Sequence, residues 1–224
     1  MSPRGRSILV FCISLTIALL ERHAARADDP CARTDLQTSV SARTNTVQFK
    51  WIGQINSPMR DELSHEFSQA KGRIKKVVLV LSSCGGSVSE AESVIAALKE
   101  IKKTHDLETR VEPGSLCASA CIPIFLQGVR RRAALTSAWL FHEVTRRGAI
   151  DRTKKRVDRA RTERVFVDYY QKAGVSEAWL NELRIMVQNS NYWQTGQNLW
   201  ESKSGIITDP IDNHLPRATE RLKY

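Results

Sequence analysis

Val77-Val78-Leu79-Val80-Leu81 runs straight into Ser82-Ser83-Cys84-Gly85-Gly86, and from Ser87 to about Lys103 the apolar residues recur at helical spacing. Five consecutive apolar residues bounded by turn residues fit a strand buried on both faces, the kind found inside parallel sheets. The paired glycines form the turn, and Ser87 supplies a hydroxyl to cap the helix that follows. A strand, a tight turn and a helix in that order are the building unit of an α/β fold.

The same alternation extends on both sides. Upstream, VQFKWIGQI at 47–55 alternates apolar and polar residues as a half-buried strand does, and Ser57-Pro58 opens a helix to about Lys71. Downstream, Glu108 to Glu112 reads as a short strand, Pro113-Gly114 as a turn, and Cys117 to Leu126 as an apolar helix interrupted by Pro123. Residues 133–142 resemble a strand ending at Phe141-His142. A long charged helix is expected over Asp151 to Ala173, another over Val175 to Asn189 with Ser176 as its cap, and a last short strand at Gly205-Ile206-Ile207. The pattern predicts an α/β domain of repeated strand-helix units with a largely parallel sheet over 47–208. Residues 28–46 read as an irregular lead-in and 209–224 as a C-terminal tail.

The chain has 224 residues, 42% of them hydrophobic, with 11 Gly and 7 Pro, which excludes disordered, collagen-like and membrane-bundle classes. Residues 1–27 have the layout of a secretory signal peptide: Arg4 and Arg6, an apolar run from Ile8 to Leu20, and Ala25-Arg26-Ala27 before Asp28. Export to the periplasm or secretion is therefore expected. The leader carries Arg4, Arg6, Arg22, Arg26 and Glu21, so its loss lowers the net charge from +10 to +7.

Export changes the reading of the cysteines. Cys12 belongs to the leader, and Cys31, Cys84, Cys117 and Cys121 remain as disulfide candidates, with three complete pairings open. Cys117 and Cys121 are four apart, a spacing that also suits zinc, but no second Cys/His pair accompanies them and no metal is expected. Arg130-Arg131-Arg132 and the nine Lys/Arg between Arg146 and Arg164 hold much of the basic excess. No aromatic residues interleave these charges in the way single-stranded nucleic-acid binding requires, so they read as a solvated face, with no nucleic-acid partner.

Three features fall at the ends of strands and the starts of helices, where α/β folds carry their sites: Gly85-Gly86, Ser119 within Cys117-Ala118-Ser119-Ala120-Cys121, and His142. With their surroundings, VVLVLSSCGGSVSEAESVIAALKEI at 77–101, GSLCASACIPIFLQG at 114–128 and AWLFHEV at 138–144, they resemble the Clp-type serine proteases of the ClpP/crotonase superfamily, and most of all their exported periplasmic relatives. The resemblance implies a ClpP/crotonase-like fold with Ser119 as nucleophile, His142 as general base, the Gly85-Gly86 turn as source of one oxyanion-hole amide and Ala120 as source of the other. The chemistry fits those residue types. A serine hydroxyl needs an imidazole to take its proton, and the tetrahedral intermediate needs backbone N–H groups that a glycine turn can bring close. Ser119 near a helix start adds a favourable dipole.

Where the family carries proline before its paired glycines this chain has Cys84, which suggests a loop held by a disulfide from Cys84 to Cys117 or Cys121. The family's third triad member falls in Gln188-Asn189-Ser190-Asn191-Tyr192-Trp193, which holds no carboxylate; Asn191 is its counterpart and is expected to orient the imidazole by hydrogen bonding. Asp151 or Asp168 would substitute only if the fold brought one of them to His142. The implied protein is an ATP-independent serine peptidase without a cofactor and without an ATP-driven unfoldase. It would act on peptides or unfolded proteins and form a homo-oligomer through the segment after His142, whose basic residues are also candidates for contact with an anionic membrane surface. The absent carboxylate defines the alternative, a catalytically inactive ClpP-like module for peptide binding or envelope assembly; an acyl-CoA enzyme of the same fold ranks third.

Overall fold

A computed structural model describes residue 31 and residues 34–147 and 155–211; the leader, Asp151 and residues 212–224 lie outside the described residues. The strands are β1 (Asp35–Ser41), β2 (Thr46–Ile52), β3 (Lys76–Ser82), β4 (Asp106–Val111), β5 (Leu116–Ala118), β6 (Arg130–Ala134), β7 (Ala138–Phe141), β8 (Thr145–Arg147), β9 (Lys155–Val157), β10 (Tyr192–Thr195) and β11 (Asp209–Ile211). The helices are α1 (Pro58–Ala70), α2 (Val88–Lys102), α3 (Cys121–Phe125), α4 (Arg159–Val165), α5 (Glu177–Met186) and α6 (Gly196–Glu201). None of the described helices is long and apolar enough to cross a membrane.

β3, the apolar run, is an inner strand of a six-stranded sheet ordered β1-β2-β3-β4-β6-β11, in which every pairing except β1 with β2 is parallel. Its two faces are buried differently. Val77, Leu79 and Leu81 join Val47, Phe49 and Trp51 of β2 and Ala91, Val94, Ile95 and Leu98 of α2 in the hydrophobic core. On the other face Val80 lies between Lys50 and Arg110 of the neighbouring strands and is fully buried. The aliphatic stems of long charged side chains can cover apolar surface while their heads pair in water. Lys50 meets Glu112 at 2.8 Å on this face, and the carboxylate of Glu108 binds both Lys76 and Arg110.

Local signals set the helix starts. Pro58 occupies the first turn of α1, and the Ser87 and Ser176 hydroxyls accept from the N–H groups of Glu90 and Trp179. Several expectations are corrected. The stretch 28–46 contains β1, an exposed edge strand held by its antiparallel ladder to β2 with little burial of its own side chains. Cys117 and Ala118 belong to β5, so the helix expected from Cys117 shrinks to α3. The helix expected from Asp151 begins only at Arg159, where the Asp158 side chain accepts from the Arg161 N–H. Before it, β9 pairs with β8 in an antiparallel hairpin. The closing strand is Asp209–Ile211 and not 205–207; Asp209 is ion-paired with Arg130 and Arg132 of β6. A second, three-stranded sheet ordered β10-β7-β5 carries the candidate site.

Candidate active site

The site forms where the two sheets meet. At the end of β3 the Ser83 N–H donates to the Leu116 carbonyl at 2.7 Å and the Ala118 N–H donates to the Ser83 carbonyl at 2.9 Å, which fastens β5 alongside. β5 in turn runs parallel to β7, with Ala118 opposite Leu140. Ser119 follows β5 and His142 follows β7, so both leave the carboxyl ends of neighbouring parallel strands. They line one pocket together with Ala120 and Phe141.

Ser119 has φ +52, in the left-handed region. That conformation costs a non-glycine residue about 1–2 kcal/mol and needs outside support. Here the Ser119 N–H donates to the Leu140 carbonyl at 2.8 Å, and its carbonyl accepts from the Ile122 N–H at 3.0 Å. Opposite Cys117 in the ladder, the buried Trp139 packs edge-on against Phe125 at 4.9 Å and donates from Nε1 to the Ser137 hydroxyl at 2.9 Å.

The glycine turn is tied down from two directions. The Gly85 N–H donates to the Ser83 hydroxyl at 3.1 Å, and its carbonyl accepts from the Ile55 N–H at 2.8 Å. A Cβ on Gly85 would stand 2.8 Å from the Ser119 Cβ, so this position admits no side chain. The N–H groups of Gly86 and Ala120, by contrast, have no acceptor among the described residues. Of the three expected oxyanion residues, Gly86 and Ala120 therefore offer donors, whereas Gly85 provides the close approach. The short α3 contributes little dipole.

His142 Nδ1 lies 2.6 Å from the main-chain oxygen of Glu143. A carbonyl only accepts, so Nδ1 carries the proton of this bond, and Nε2 is the ring nitrogen it leaves unengaged. This corrects the role expected for Asn191. Asn191 is exposed and lines a cleft with His142, but no hydrogen bond joins them. Asp168 is paired instead with Lys172 at 2.7 Å and lines a different pocket from His142. Glu143, which the sequence reading passed over, is the neighbour that matters. Its buried carboxylate accepts from the Asn189 N–H at 2.9 Å and faces Arg159 at 3.5 Å, so it anchors the loop that carries Asn191. The only sequence signal for this was a charged residue directly after an apolar strand.

Both disulfides touch the site, in pairings other than the expected one. Cys117 is bonded to Cys121, with Ser119 midway between them, and Cys31 to Cys84, just before the glycine turn. Cys84 is therefore not bonded to the segment around Ser119: Cys117 and Cys121 have Cα atoms 5.4 Å apart across the turn and close on each other.

The remaining wall of the pocket is mostly apolar, with Val88 and Ala91 of α2, Pro123, and Phe166, Tyr169 and Tyr170 from a π-helical turn at Phe166–Tyr170 that extends α4; Glu92 and Thr162 are its polar members. Burial raises the pKa of the Tyr170 hydroxyl, keeping it neutral. Glu92 at the pocket is paired with Arg161 at 3.1 Å.

The architecture is a ClpP-like fold. It is similar to a ClpP1 mutant from Listeria monocytogenes, with a TM-score of 0.58 and 18% identity over 77% of this chain and 94% of that one. It is also similar to the ClpP protease catalytic domain from Plasmodium falciparum, with a TM-score of 0.54 and 17% identity over 74% of this chain and 85% of that one. No protein-family model matches the chain, and no curated protein matches it by sequence.

Proposed function

We propose that the chain is an exported, ATP-independent serine peptidase that uses Ser119 and His142. The observation that carries this reading is the pairing of a left-handed Ser119 at the end of β5 with a His142 whose Nδ1 proton is already bound to a carbonyl. In the proposed reaction Ser119 Oγ attacks the scissile carbonyl while His142 Nε2 takes its proton. The oxyanion accepts from the N–H groups of Gly86 and Ala120; each such donor is typically worth about 2.7–4 kcal/mol in the transition state. The bond to the leaving amine then breaks as His142 returns the proton, and water cleaves the acyl-enzyme with the same base. The apolar pocket suits an apolar side chain next to the scissile bond.

Two disulfides fit an oxidising compartment and so support export, in line with the leader-like residues 1–27. ATP would be absent there, and peptides or unfolded proteins are the fitting substrates. Assembly into a homo-oligomer through the β8–β9 hairpin belongs to the same proposal, as does contact of its basic residues with an anionic membrane. The alternative, a catalytically silent peptide-binding module, is favoured by one observation: the imidazole has no carboxylate partner among the described residues. A fluorophosphonate probe separates the two. Covalent labelling that is lost in Ser119→Ala and His142→Ala supports the peptidase, and absence of labelling across the pH range refutes it.

A further inference from the structure

The Cys117–Cys121 bridge closes a ring of five residues with Ser119 as its middle member and Ala120, a candidate oxyanion donor, beside it. Both cysteines are fully buried, whereas Cys31 and Cys84 are partly exposed. The two bridges also differ in span, with sequence separations of 4 and 53. Cross-linking restricts the unfolded chain more as the closed loop lengthens, so the short ring adds least to global stability. Its effect must be sought locally.

Within the ring, Ser119 holds a backbone conformation that an L-residue leaves unless its surroundings over-determine it. Two hydrogen bonds restrain it, from the Ser119 N–H to the Leu140 carbonyl and from the Ile122 N–H to the Ser119 carbonyl. Gly85 closes the space on the other side, its missing Cβ matched to the Ser119 Cβ. We propose that the Cys117–Cys121 disulfide is the positioning element of the nucleophile, holding Ser119 and the Ala120 N–H in the reactive arrangement, so that the oxidised chain is competent and the reduced one is not. This rests on the peptidase reading. Opening the ring takes two electrons and two protons. A dithiol such as dithiothreitol supplies both, the S–S bond breaks to two thiols, and the reagent closes into its own disulfide.

The test compares the oxidised wild-type chain with Cys117→Ala/Cys121→Ala and with Cys31→Ala/Cys84→Ala. Labelling of Ser119 by a fluorophosphonate should fall at least about tenfold in the ring variant. Its Tm should fall less than that of the Cys31→Ala/Cys84→Ala variant. Hydrogen exchange gives a readout that needs no activity: the Ser119 amide, bonded to Leu140, should exchange at least about tenfold faster in the ring variant while the amides of α2 are unchanged. Dithiothreitol treatment of the wild type, with alkylation to count thiols, should reproduce both effects. A folded ring variant that labels within about twofold of wild type and keeps the Ser119 amide protected overturns the proposal. So does a ring variant that fails to fold or loses α2 protection equally, because the bridge would then be holding the fold and not the nucleophile. If the oxidised wild type is not labelled at all, the peptidase reading fails, and the exchange of the Ser119 amide alone decides whether the bridge positions it.

Discussion

The imidazole of His142 is oriented by the main-chain carbonyl of Glu143, 2.6 Å from Nδ1, and not by a side chain. A backbone acceptor fixes the tautomer as well as a carboxylate does, but it carries no charge to stabilise the imidazolium that the proposed attack would form. It also competes with anything introduced nearby. Asn191→Asp puts a carboxylate into the cleft that His142 lines, yet Nδ1 is already engaged. The fluorophosphonate labelling rate of Asn191→Asp is expected to stay within about twofold of wild type, whereas His142→Ala abolishes it. A tenfold gain in Asn191→Asp would show that the ring leaves Glu143 for the new carboxylate.

Gly85 and Ser119 are in such close contact that the glycine is part of the seat of Ser119, the proposed nucleophile. In Gly85→Ala the new Cβ would meet the Ala118 carbonyl at 2.7 Å and the Ser119 Cβ at 2.8 Å, at a φ of +86 that L-residues avoid. Both faults act on the folded state, so a loss of about 1–3 kcal/mol is expected, and a Tm lower by roughly 5 °C. Labelling of Ser119 should fall at least about tenfold beyond what the unfolded fraction explains. Calorimetry alongside labelling checks both.

What the sequence made legible was local. Val77 to Leu81 announced a doubly buried strand, Pro58 and the Ser87 and Ser176 caps announced helix starts, and Gly85-Gly86, Ser119 and His142 lie together around one corner of the fold. β1 was illegible because its side chains, Asp35 to Ser41, are largely exposed, and its place is determined by main-chain pairing with β2. The same reason hid the partner of His142, since a carbonyl leaves no mark in residue type. The hairpin β8–β9 was masked by the density of charge around it, and Asp158, the cap that starts α4, lay inside a stretch that already looked helical. The disulfide pairing was open because four cysteines allow three pairings and only the turn at Ser119 brings Cys117 to Cys121.

Glu108 is the buried anion of the outer sheet face. Burial alone would raise its pKa from 4.5, but the hydrogen bonds and charges of Lys76 and Arg110 outweigh that and hold it lower. The folded state therefore binds this proton less tightly than the unfolded state. The resulting stability is fully present above about pH 4.5 and is lost as the pH falls through the lower folded value. Glu108→Gln should cost about 1–3 kcal/mol at neutral pH, measured by urea unfolding, with the gap to wild type narrowing as the pH is lowered toward about 3. A gap independent of pH would assign the loss to packing instead.

The apolar wall beside Ser119 predicts selectivity as well as binding. Val88, at the first turn of α2, is half-buried at the pocket, and the surfaces around it are Ala91, Pro123, Phe166 and Tyr170. An acyl chain entering there leaves water, and each buried methylene is worth about 0.8 kcal/mol. The cavity, about 30 Å³, takes only part of such a chain, and two buried methylenes amount to roughly 1.6 kcal/mol, or about fifteenfold in kcat/KM. The wild type should therefore hydrolyse p-nitrophenyl hexanoate with a kcat/KM at least about tenfold above that for the acetate, since only part of the chain need be buried. Val88→Phe fills the entrance with a larger ring, so it should bring the hexanoate-to-acetate ratio close to unity while leaving the acetate rate within about twofold. A ratio unchanged by Val88→Phe would mean that the acyl group does not enter between α2 and the π-helical turn, and the pocket would lose its assignment as the specificity site.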